Sequence, residues 1–455
     1  MPHLKFSSAH LVRHNRFASL WQPLLVLGVS LILVVRLLFQ VSHYAVNIFF
    51  SDQWDLYNAT LFEKHSLWEM FRWQHGPHRL GLGALLSKLA EPHFRWNSRT
   101  EAFLATAIIT VAALGALYLK TRLWGSLTIF DIAIPVIFFT PTQYESLWVT
   151  PDFAHGPLPL LLVVLYCLAL TCARALTRYV LVLIINFFAI YTGFGLLIGL
   201  ITPVWLIFEY YAKRAAHQPA GFVFWPLIVS LLSFGSFLVR YRFDSAANCF
   251  SPLPHSPIAY VAFVDLMLGH FLGARHTHSI AAFILGGMVL VVMITVVAGF
   301  GKRLLDLKSY TLKDMVSTLL VAYCLLFCIF SAYGRACLGL INAFASRYTE
   351  YVALGFLGLY LLMLDGGRTQ RILLRLLLAM LLLGSVWTRE DRSSMEYAHD
   401  VKARWRSCYL LTEDIPECDR KSGLWIYPVP EATHLKEKLG YLKQSKQNLY
   451  SDLPR

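Results

Sequence analysis

Long runs of apolar residues that contain no charged side chain recur along most of the chain. Residues 157–170 and 280–300 are two of them. A helix needs roughly 20 apolar residues to cross the hydrocarbon core of a bilayer. The pattern therefore predicts a polytopic membrane protein of the all-α class.

The apolar runs predict about eleven membrane-spanning helices. Their expected bounds are 21–43, 102–119, 126–141, 156–173, 179–192, 194–211, 221–239, 280–300, 314–333, 349–366 and 371–388. The first run is longer than the core of a signal peptide and has no small-residue cleavage pattern, so we expect it to be retained. The fifth and sixth runs are short and meet at Tyr191-Thr-Gly-Phe-Gly195, so two spans and one broken, re-entrant hairpin are both compatible with them. A single span there would invert every later helix.

Basic pairs between the runs orient the predicted helices. They are Lys120/Arg122, Arg174/Arg178, Lys213/Arg214, Lys302/Arg303 and Arg368/Arg371. Because Lys and Arg are enriched in cytoplasmic loops, these pairs and the N-terminal residues 1–20 are expected in the cytoplasm. The transmembrane domain, 21–388, then has four external loops and is followed by an external C-terminal segment; these external parts are 44–101, 142–155, 240–279, 334–348 and 389–455.

Some external segments carry apolar residues at helical spacing, namely 53–72, 80–91 and 258–272. We expect them to form helices that lie on the membrane surface. Arg36, inside the first run, is expected to face the bundle interior or a water-filled cavity, because a charge in lipid is costly. The histidine-rich stretch 270–278 has the spacing of a metal chelate but is interpreted as a solvated loop.

Composition agrees with a membrane protein. Of 455 residues, 57% are hydrophobic and 15% are charged, whereas soluble domains carry about 25% charged residues. A net charge of +13 could indicate a nucleic-acid-binding protein, but residues 1–388 hold 28 Lys+Arg against 16 Asp+Glu and the remainder holds 12 against 11. The excess lies in the membrane part, so lipids and not nucleic acids are the expected partners. The sequence has no Walker loop, GxSxG or HExxH motif, which argues against the chemistries that use them.

The eight cysteines divide by their surroundings. Four lie in apolar runs and are expected in the core: Cys167, Cys172, Cys324 and Cys328. Cys408 and Cys418 lie ten residues apart in the C-terminal segment, where a disulfide and two free thiols are both compatible with the sequence. Cys249 and Cys337 fall in two different external loops and receive no role. Without a pair of CxxC motifs, a structural zinc site is not expected.

The sharpest chemical feature is the motif Asp52-Gln-Trp-Asp55, directly after the first predicted span. Two carboxylates three residues apart at a helix start lie on nearly the same face. Beside Trp54 at the external end of a span, they could serve as a catalytic base or hold a cation. Asp52 could instead only cap the helix, because aspartate is a favoured N-cap residue.

Three further clusters are expected on the same side. Gln74-His75-Gly-Pro-His78-Arg79 could clamp an anion or contribute to a metal site, or could simply meet lipid headgroups. Residues 143–155 place Glu145, Asp152 and His155 among aromatic residues that are typical of a membrane interface.

The third of these clusters contains Arg335 and Arg347, which frame an external loop. Guanidinium groups match the oxygens of a phosphate. Arginines at span ends can also merely extend towards lipid headgroups.

In order and sidedness these motifs resemble the GT-C superfamily of integral-membrane glycosyltransferases. The finer resemblance is to bacterial serotype-converting, O-antigen-modifying glycosyltransferases that use polyprenyl-phosphate sugars. The matching motifs are Asp52-Gln-Trp-Asp55, Gln74-His75-Gly-Pro-His78-Arg79, Gln143-Tyr-Glu145, Gly334-Arg335 and Ser346-Arg347-Tyr-Thr349. The resemblance covers about residues 20–390 and departs from the family pattern at Gly76-Pro77, where more polar residues are expected.

The resemblance implies transfer of a sugar from a polyprenyl-phosphate donor, such as undecaprenyl phosphate, to a surface glycan such as lipopolysaccharide or to a lipid-linked acceptor. It places the site on the periplasmic face of the bacterial inner membrane and implies inversion at the anomeric carbon. Asp55, or else Asp52, is the expected base. The expected ligands of the donor phosphate are Arg335, Arg347 and Arg79. The expected substrate-binding residues are Trp54, His75, His78, Glu145, Asp152 and His155.

No cofactor is required by the pattern, although Asp52 and Asp55 could hold a divalent cation, Mg²⁺ or Mn²⁺. Two other classes of function stay open. A flippase or polymerase of lipid-linked glycans would also use outward arginines but no paired base. A non-catalytic membrane subunit would need neither.

Overall fold

Almost all of the described chain is helical. The computed structural model describes residues 16–453 except 64, 216, 245–246, 248, 252–255, 275–278, 307–309, 386–388 and 428–433. Its α-helices are α1 Arg16–Tyr44, α2 Gln53–Tyr57, α3 Leu67–Phe71, α4 Gly81–Ala90, α5 Ser98–Trp124, α6 Ala133–Phe138, α7 Pro157–Leu170, α8 Ala175–Ile190, α9 Leu196–Ala215, α10 Gly221–Leu238, α11 Pro257–Phe271, α12 Ile280–Leu305, α13 Leu312–Arg335, α14 Thr349–Leu364, α15 Arg368–Gly384, α16 Arg389–Thr412, α17 Ile415–Ser422 and α18 Leu435–Ser445. Strands β1 Gln74–His75 and β2 His78–Arg79 form an antiparallel hairpin. The predicted all-α class is confirmed. Much of the predicted cytoplasmic N-terminus (1–15) and four residues of the histidine-rich stretch (275–278) lie outside the described residues.

Six helical stretches of the described residues are long and apolar enough to cross a membrane. They are Leu20–Tyr44, Ser98–Trp124, Gly193–Ala215, Gly221–Leu238, Ile280–Leu305 and Leu312–Leu338. The other five predicted spans correspond to α6, α7, α8, α14 and α15, which have between 6 and 17 residues. The protein is therefore an integral membrane protein that contains both long apolar helices and shorter ones.

The predicted span 126–141 is much shorter than expected. A 3₁₀ turn, Ile129–Ile132, leads into the six residues of α6, which are all buried, and a second 3₁₀ turn with Pro141 at its start follows. Proline restricts the residue before it to extended backbone, so the helix has to end before Thr140. Arg36 on α1 donates to the carbonyl of Phe139 at 2.8 Å, which satisfies one of the acceptors left at the end of α6. The expectation that Arg36 faces the bundle interior is confirmed.

The junction between α8 and α9 is a tight reversal. Gly193 has a φ of 55°, in the left-handed region that glycine tolerates. Tyr179 near the start of α8 donates to Glu209 near the end of α9 at 2.7 Å. The two helices are therefore antiparallel, and the chain returns to the end from which it came. This geometry corresponds to the predicted pair of helices and not to a single span.

One end of the bundle collects most of the basic pairs. Arg303 lies 3.5 Å from Asp314, and Lys313 lies 3.0 Å from Asp365, so the ends of α12 and α14 and the starts of α13 and α15 meet there. Lys120 differs from the expected cytoplasmic charge. It is 2% exposed and pairs at 2.8 Å with the fully buried Asp131, so it is neutralised inside the bundle.

α11 is not the surface helix that the sequence suggests. Its second half, from Phe263 onwards, is almost entirely buried in the main hydrophobic cluster. Gly286 of α12 brings its backbone against Asp265, and Phe271 stacks on Phe356 of α14 at 4.5 Å. Its apolar residues surround the helix instead of forming one stripe, which is typical of a helix buried on all sides.

The C-terminal segment packs on the first predicted external loop, at the end of the bundle opposite the basic pairs. A second hydrophobic cluster joins Phe49, Trp54 and Trp96 of that loop to Trp405 and Leu439 of the segment. Disulfides Cys408–Cys418 and Cys249–Cys337 lie at this same end. The first pairing is one of the two expected states, whereas the second was not predicted. The remaining four cysteines are free and lie in the bundle: Cys167, Cys172, Cys324 and Cys328.

Candidate functional site

The two aspartates of the first motif lie at a bend where the chain leaves α1. Asp52 occupies the N-cap position of α2, but its side chain makes no capping hydrogen bond. Its Oδ1 instead accepts a hydrogen bond from Ser51 at 3.0 Å, and its side chain is 52% exposed. The carboxylate is therefore available to solvent and neighbours. This geometry removes the purely capping interpretation.

His75 completes a cluster with these carboxylates. Its Nε2 lies 3.5 Å from Asp52 Oδ2, and its Nδ1 lies 3.9 Å from Asp55 Oδ2. The hairpin positions this imidazole, because Gly76 adopts a φ of 56° in the turn and His75 pairs with His78 across the ladder. One ligand atom from each of the three residues lies within 4.8 Å of the others. Two carboxylates and an imidazole at this separation fit a divalent cation.

The cluster carries an ion pair. Burial alone would raise the pKa of Asp52, but the hydrogen bond and charge of His75 hold it well below its usual range. Burial likewise lowers the pKa of His75, but the Asp52 carboxylate outweighs it and the pKa is raised. The two groups therefore stabilise each other's charged form.

A second aspartate–histidine pair lies beside the first. Asp152 Oδ1 accepts the backbone N–H groups of Ala154 at 2.8 Å and of His155 at 3.2 Å, and its Oδ2 contacts His155 Nδ1. This arrangement fixes the imidazole and leaves its Nε2 for other partners. The ring of His155 lies 6.0 Å from that of His75 and 4.5 Å from that of His78.

His78 is the neutral member of the group. It is 7% exposed, and neither ring nitrogen has a hydrogen-bond partner among the described residues. Burial and the neighbouring charges of His155, His75 and Arg335 lower its pKa well below the usual value. A buried imidazole without a partner is costly, so the site is built to receive a polar group there.

The two predicted arginines of the late loop lie at the rim of this cluster. Arg347 binds Glu145 at 2.8 Å, and the Glu145 carboxylate raises the pKa of Arg347, with smaller contributions from Tyr348 and Asp52. Arg335 is half-buried, has no hydrogen bond or ion pair with the described residues, and is close enough to His78 to affect its pKa. The disulfide from Cys337 ties this loop to the segment before α11.

Arg79 has a different position from the other two arginines. It is 3% exposed, and its guanidinium donates to the carbonyls of Arg72, of Phe237 at 3.1 Å and of Val239 at 2.8 Å. It therefore fastens the hairpin that carries His75 to the end of α10. A groove of about 270 Å³ lies beside it and is lined by His65, Glu69, Arg72, Trp73, Gln74, Arg79 and Arg240.

Trp54 lies beneath the site. It is fully buried, with its ring edge-on to Phe49 at 5.3 Å and to Tyr57 at 6.4 Å. It positions α2 and offers no surface to a substrate in this arrangement.

Several residues of the site were not found in the sequence. Gln53, inside the first motif, donates to Glu101 at 2.8 Å and to the carbonyl of Pro151 at 3.0 Å. Glu350 is 1% exposed and is bound by Ser146, and only a glycine at 156 leaves room for its carboxylate. The signal for both glutamates was available, since each is an acid at the start of an apolar run.

A further missed residue is Tyr427, in the C-terminal segment, whose hydroxyl donates to Asp55 Oδ1. No sequence pattern predicts the contact of Tyr427 with Asp55. No protein-family model, curated protein or solved structure matches this chain. Any conclusion about function therefore rests on the geometry of this site.

Proposed function

We propose that the protein is a membrane glycosyltransferase that moves one sugar from a polyprenyl-phosphate donor to a hydroxyl of a surface glycan or lipid-linked acceptor. One observation carries the proposal. The carboxylates of Asp52 and Asp55 meet His75 at one end of an apolar bundle. The exposed Arg347 lies at the rim of the same cluster with Arg335, which has no ion-pair partner in the part of the chain that the structure describes. A base and phosphate-binding cations are the two groups that this transfer requires.

Asp55 is the proposed base. Its Oδ1 is occupied by Tyr427, so Oδ2, on the side of His75, accepts the proton of the acceptor hydroxyl. The acceptor oxygen forms the bond to the anomeric carbon while the bond from that carbon to the phosphate oxygen breaks. The polyprenyl phosphate leaves with that electron pair. Attack opposite the leaving group would invert the anomeric carbon.

The departing phosphate needs positive charge. Arg335 and Arg347 are the proposed ligands, and the neutral His78 is a further hydrogen-bond partner from below. Arg79 is engaged by three carbonyls, so we assign it the role of holding the hairpin. The polyprenyl chain of such a donor would remain in the bilayer beside the bundle.

Asp52, Asp55 and His75 are also the residues that would hold a divalent cation, Mg²⁺ or Mn²⁺. When bound, the ion would neutralise charge on the phosphate. His75 would bind the ion as a neutral imidazole.

Trp73 and the groove offer a place for the acceptor. The Trp73 ring is 5.6 Å from that of His75, and the same residue lines the groove with Arg72, Gln74 and Arg240. The groove is lined mainly by charged and polar side chains around this one tryptophan, which suits a polar ligand such as a sugar. The acceptor sugar would thus reach the base across Trp73.

The cysteines and the basic pairs support one orientation of the bundle. Both disulfides lie at the end that holds the site, and disulfides persist in oxidising compartments. Most basic pairs lie at the other end, as the positive-inside rule requires of a cytoplasmic face. We therefore propose a GT-C-like bundle of about eleven helices in the bacterial inner membrane, with its site facing the periplasm.

Mass spectrometry of lipid-linked sugars and surface glycan, in cells with and without the gene, tests the proposal. Loss of the gene should remove one sugar from the glycan and leave its polyprenyl-phosphate donor unused. Complementation with Asp55→Asn should not restore that sugar. An unchanged glycan structure with lipid-linked precursors retained on the cytoplasmic face would instead indicate a flippase.

A further inference from the structure

Buried hydrogen bonds, as well as apolar packing, hold the C-terminal segment against the first external loop. Asn448 is fully buried, and its side chain donates to the carbonyl of Trp96 at 2.7 Å and accepts the N–H of Phe49 at 3.1 Å. Asn47 returns a hydrogen bond to the carbonyl of Asn448 at 2.7 Å. Each of these polar groups is satisfied only when the segment is docked, so the contact is specific.

The docked segment reaches the catalytic motif itself. The carbonyl of Ile426 accepts the N–H of Ser51 at 3.2 Å, and the next residue, Tyr427, donates its hydroxyl to Asp55. Ser51 has a φ of 53°, which is unfavourable for a side chain of this type. The bend that presents Asp52 and Asp55 is therefore held by a partner from a distant part of the chain.

Tyr427 is itself held from two sides. Lys438 of α18 is 1% exposed and places its ammonium 5.5 Å from the centre of the Tyr427 ring. The helices before Tyr427 are joined by the Cys408–Cys418 disulfide and by a hydrogen bond of 2.6 Å from Trp405 to Asp419. Burial and the contact with Asp55 raise the pKa of Tyr427, so it remains a hydrogen-bond donor.

We infer that the C-terminal segment is part of the active site, with Tyr427 as the positioning residue of Asp55. The inference rests on the proposed function. A carboxylate can rotate about its last bond, and the phenol occupies Oδ1 so that Oδ2 stays turned towards His75 and the acceptor. Tyr427 touches neither substrate, so its removal should change the rate of transfer and not the binding of donor.

Tyr427→Phe tests this role in the full-length protein reconstituted in vesicles. Loss of a hydrogen bond to a charged group should lower kcat by about 10- to 100-fold with an unchanged KM for donor. The matched control is Tyr409→Phe, which alters a tyrosine of the same docked segment that stacks on Trp405 and touches neither aspartate. Leu439→Asp, which should undock the segment, should lower kcat at least as much, and adding Tyr427→Phe to it should change nothing further.

Carbodiimide labelling followed by peptide mass spectrometry tests the same contact and does not require transfer activity. Labelling of Asp55 relative to Asp52 should rise in Tyr427→Phe and in Leu439→Asp but not in Tyr409→Phe. Equal labelling and equal kcat in all four proteins would overturn the inference and leave the proposed function intact. A wild-type protein with no transfer activity would refute the proposed function, while the labelling would still report on the contact.

Discussion

At the scale of single residues, Asp52 and Asp55 have different neighbours although both belong to one turn. Asp52 faces His75 and the solvent, whereas Asp55 accepts a hydrogen bond from the hydroxyl of Tyr427. Asp55→Asn keeps the size of the side chain but cannot accept a proton, so turnover should fall by about 100-fold or more while donor binding persists. Transfer assays and donor binding on the purified variant measure this.

Asp52→Asn is the companion variant. A smaller loss than in Asp55→Asn is expected if Asp55 alone is the base, and an equal loss is expected if both hold a cation. Addition of EDTA to the wild type separates these cases. Near-normal transfer by both variants would remove the motif from catalysis and direct attention to Glu145 and Asp152.

The two rim arginines differ in their partners but should both contribute to donor binding. Arg335 has no ion-pair partner among the described residues, whereas Arg347 already binds Glu145. Arg335→Ala and Arg347→Ala should each weaken donor binding by about 1.5–3 kcal/mol, and lysine should rescue only in part because it lacks the planar fork. Isothermal titration with a polyprenyl-phosphate sugar measures this. Donor affinities equal to wild type in both alanine variants would leave the two arginines as interfacial anchors.

The ion pair of His75 with Asp52 should make stability depend on pH. The stability that Asp52 contributes is present above its ordinary pKa near 3.8. The stability that His75 contributes is present below its ordinary pKa of 6.5 and is lost as the pH rises through its raised pKa. The difference in Tm between wild type and His75→Gln should therefore be largest between about pH 4 and 6.5 and should shrink at higher pH. A difference that grows with pH would contradict the assignment.

The sequence singled out Asp52, Asp55 and His75, but local spacing predicts only that the two acids, three residues apart, lie close together. It could not locate Tyr427, which is 372 residues from its partner and stands in a polar segment without a motif. Nor could the sequence show that the guanidinium of Arg79 donates to three backbone carbonyls. Both facts depend on which distant elements pack together.

At the scale of elements, the predicted runs match most helices to within a few residues, and the run 126–141 is the main exception. A run of more than 20 apolar residues has few alternatives to a spanning helix. The run 126–141 is apolar too, but its prolines and the buried carbonyl that Arg36 satisfies make it a short buried helix. Hydropathy alone does not distinguish a buried helix from a spanning one.

The pair α16 and α17 depends on the Cys408–Cys418 disulfide. Closing a short loop stabilises a fold by about 2–4 kcal/mol, so Cys408→Ser should loosen this part of the segment and expose it to protease. The control is Cys172→Ser, which alters a free cysteine of the bundle. Limited proteolysis of the two variants in vesicles measures the effect. Equal protection would mean that the hydrophobic cluster holds these helices without the disulfide.

At the scale of the whole molecule, the chain has two chemically different ends. Ion pairs of Arg303 and Lys313 mark one, and the disulfides and the acid–histidine cluster mark the other. A reporter that is active only outside the cytoplasm should be active when fused after Arg455 and inactive when fused at Lys213. Activity at both positions, or at neither, would contradict the proposed orientation.

The contact between Tyr427 and Asp55 has a consequence for biosynthesis. Ribosomes add about 5–20 residues per second, so the residues between these two require roughly 20 to 75 seconds. During that interval the acidic motif is already made while its tyrosine is not. On the proposed mechanism, nascent chains therefore transfer sugar more slowly, and the full rate is reached only after the segment that carries Tyr427 has reached the same side of the membrane.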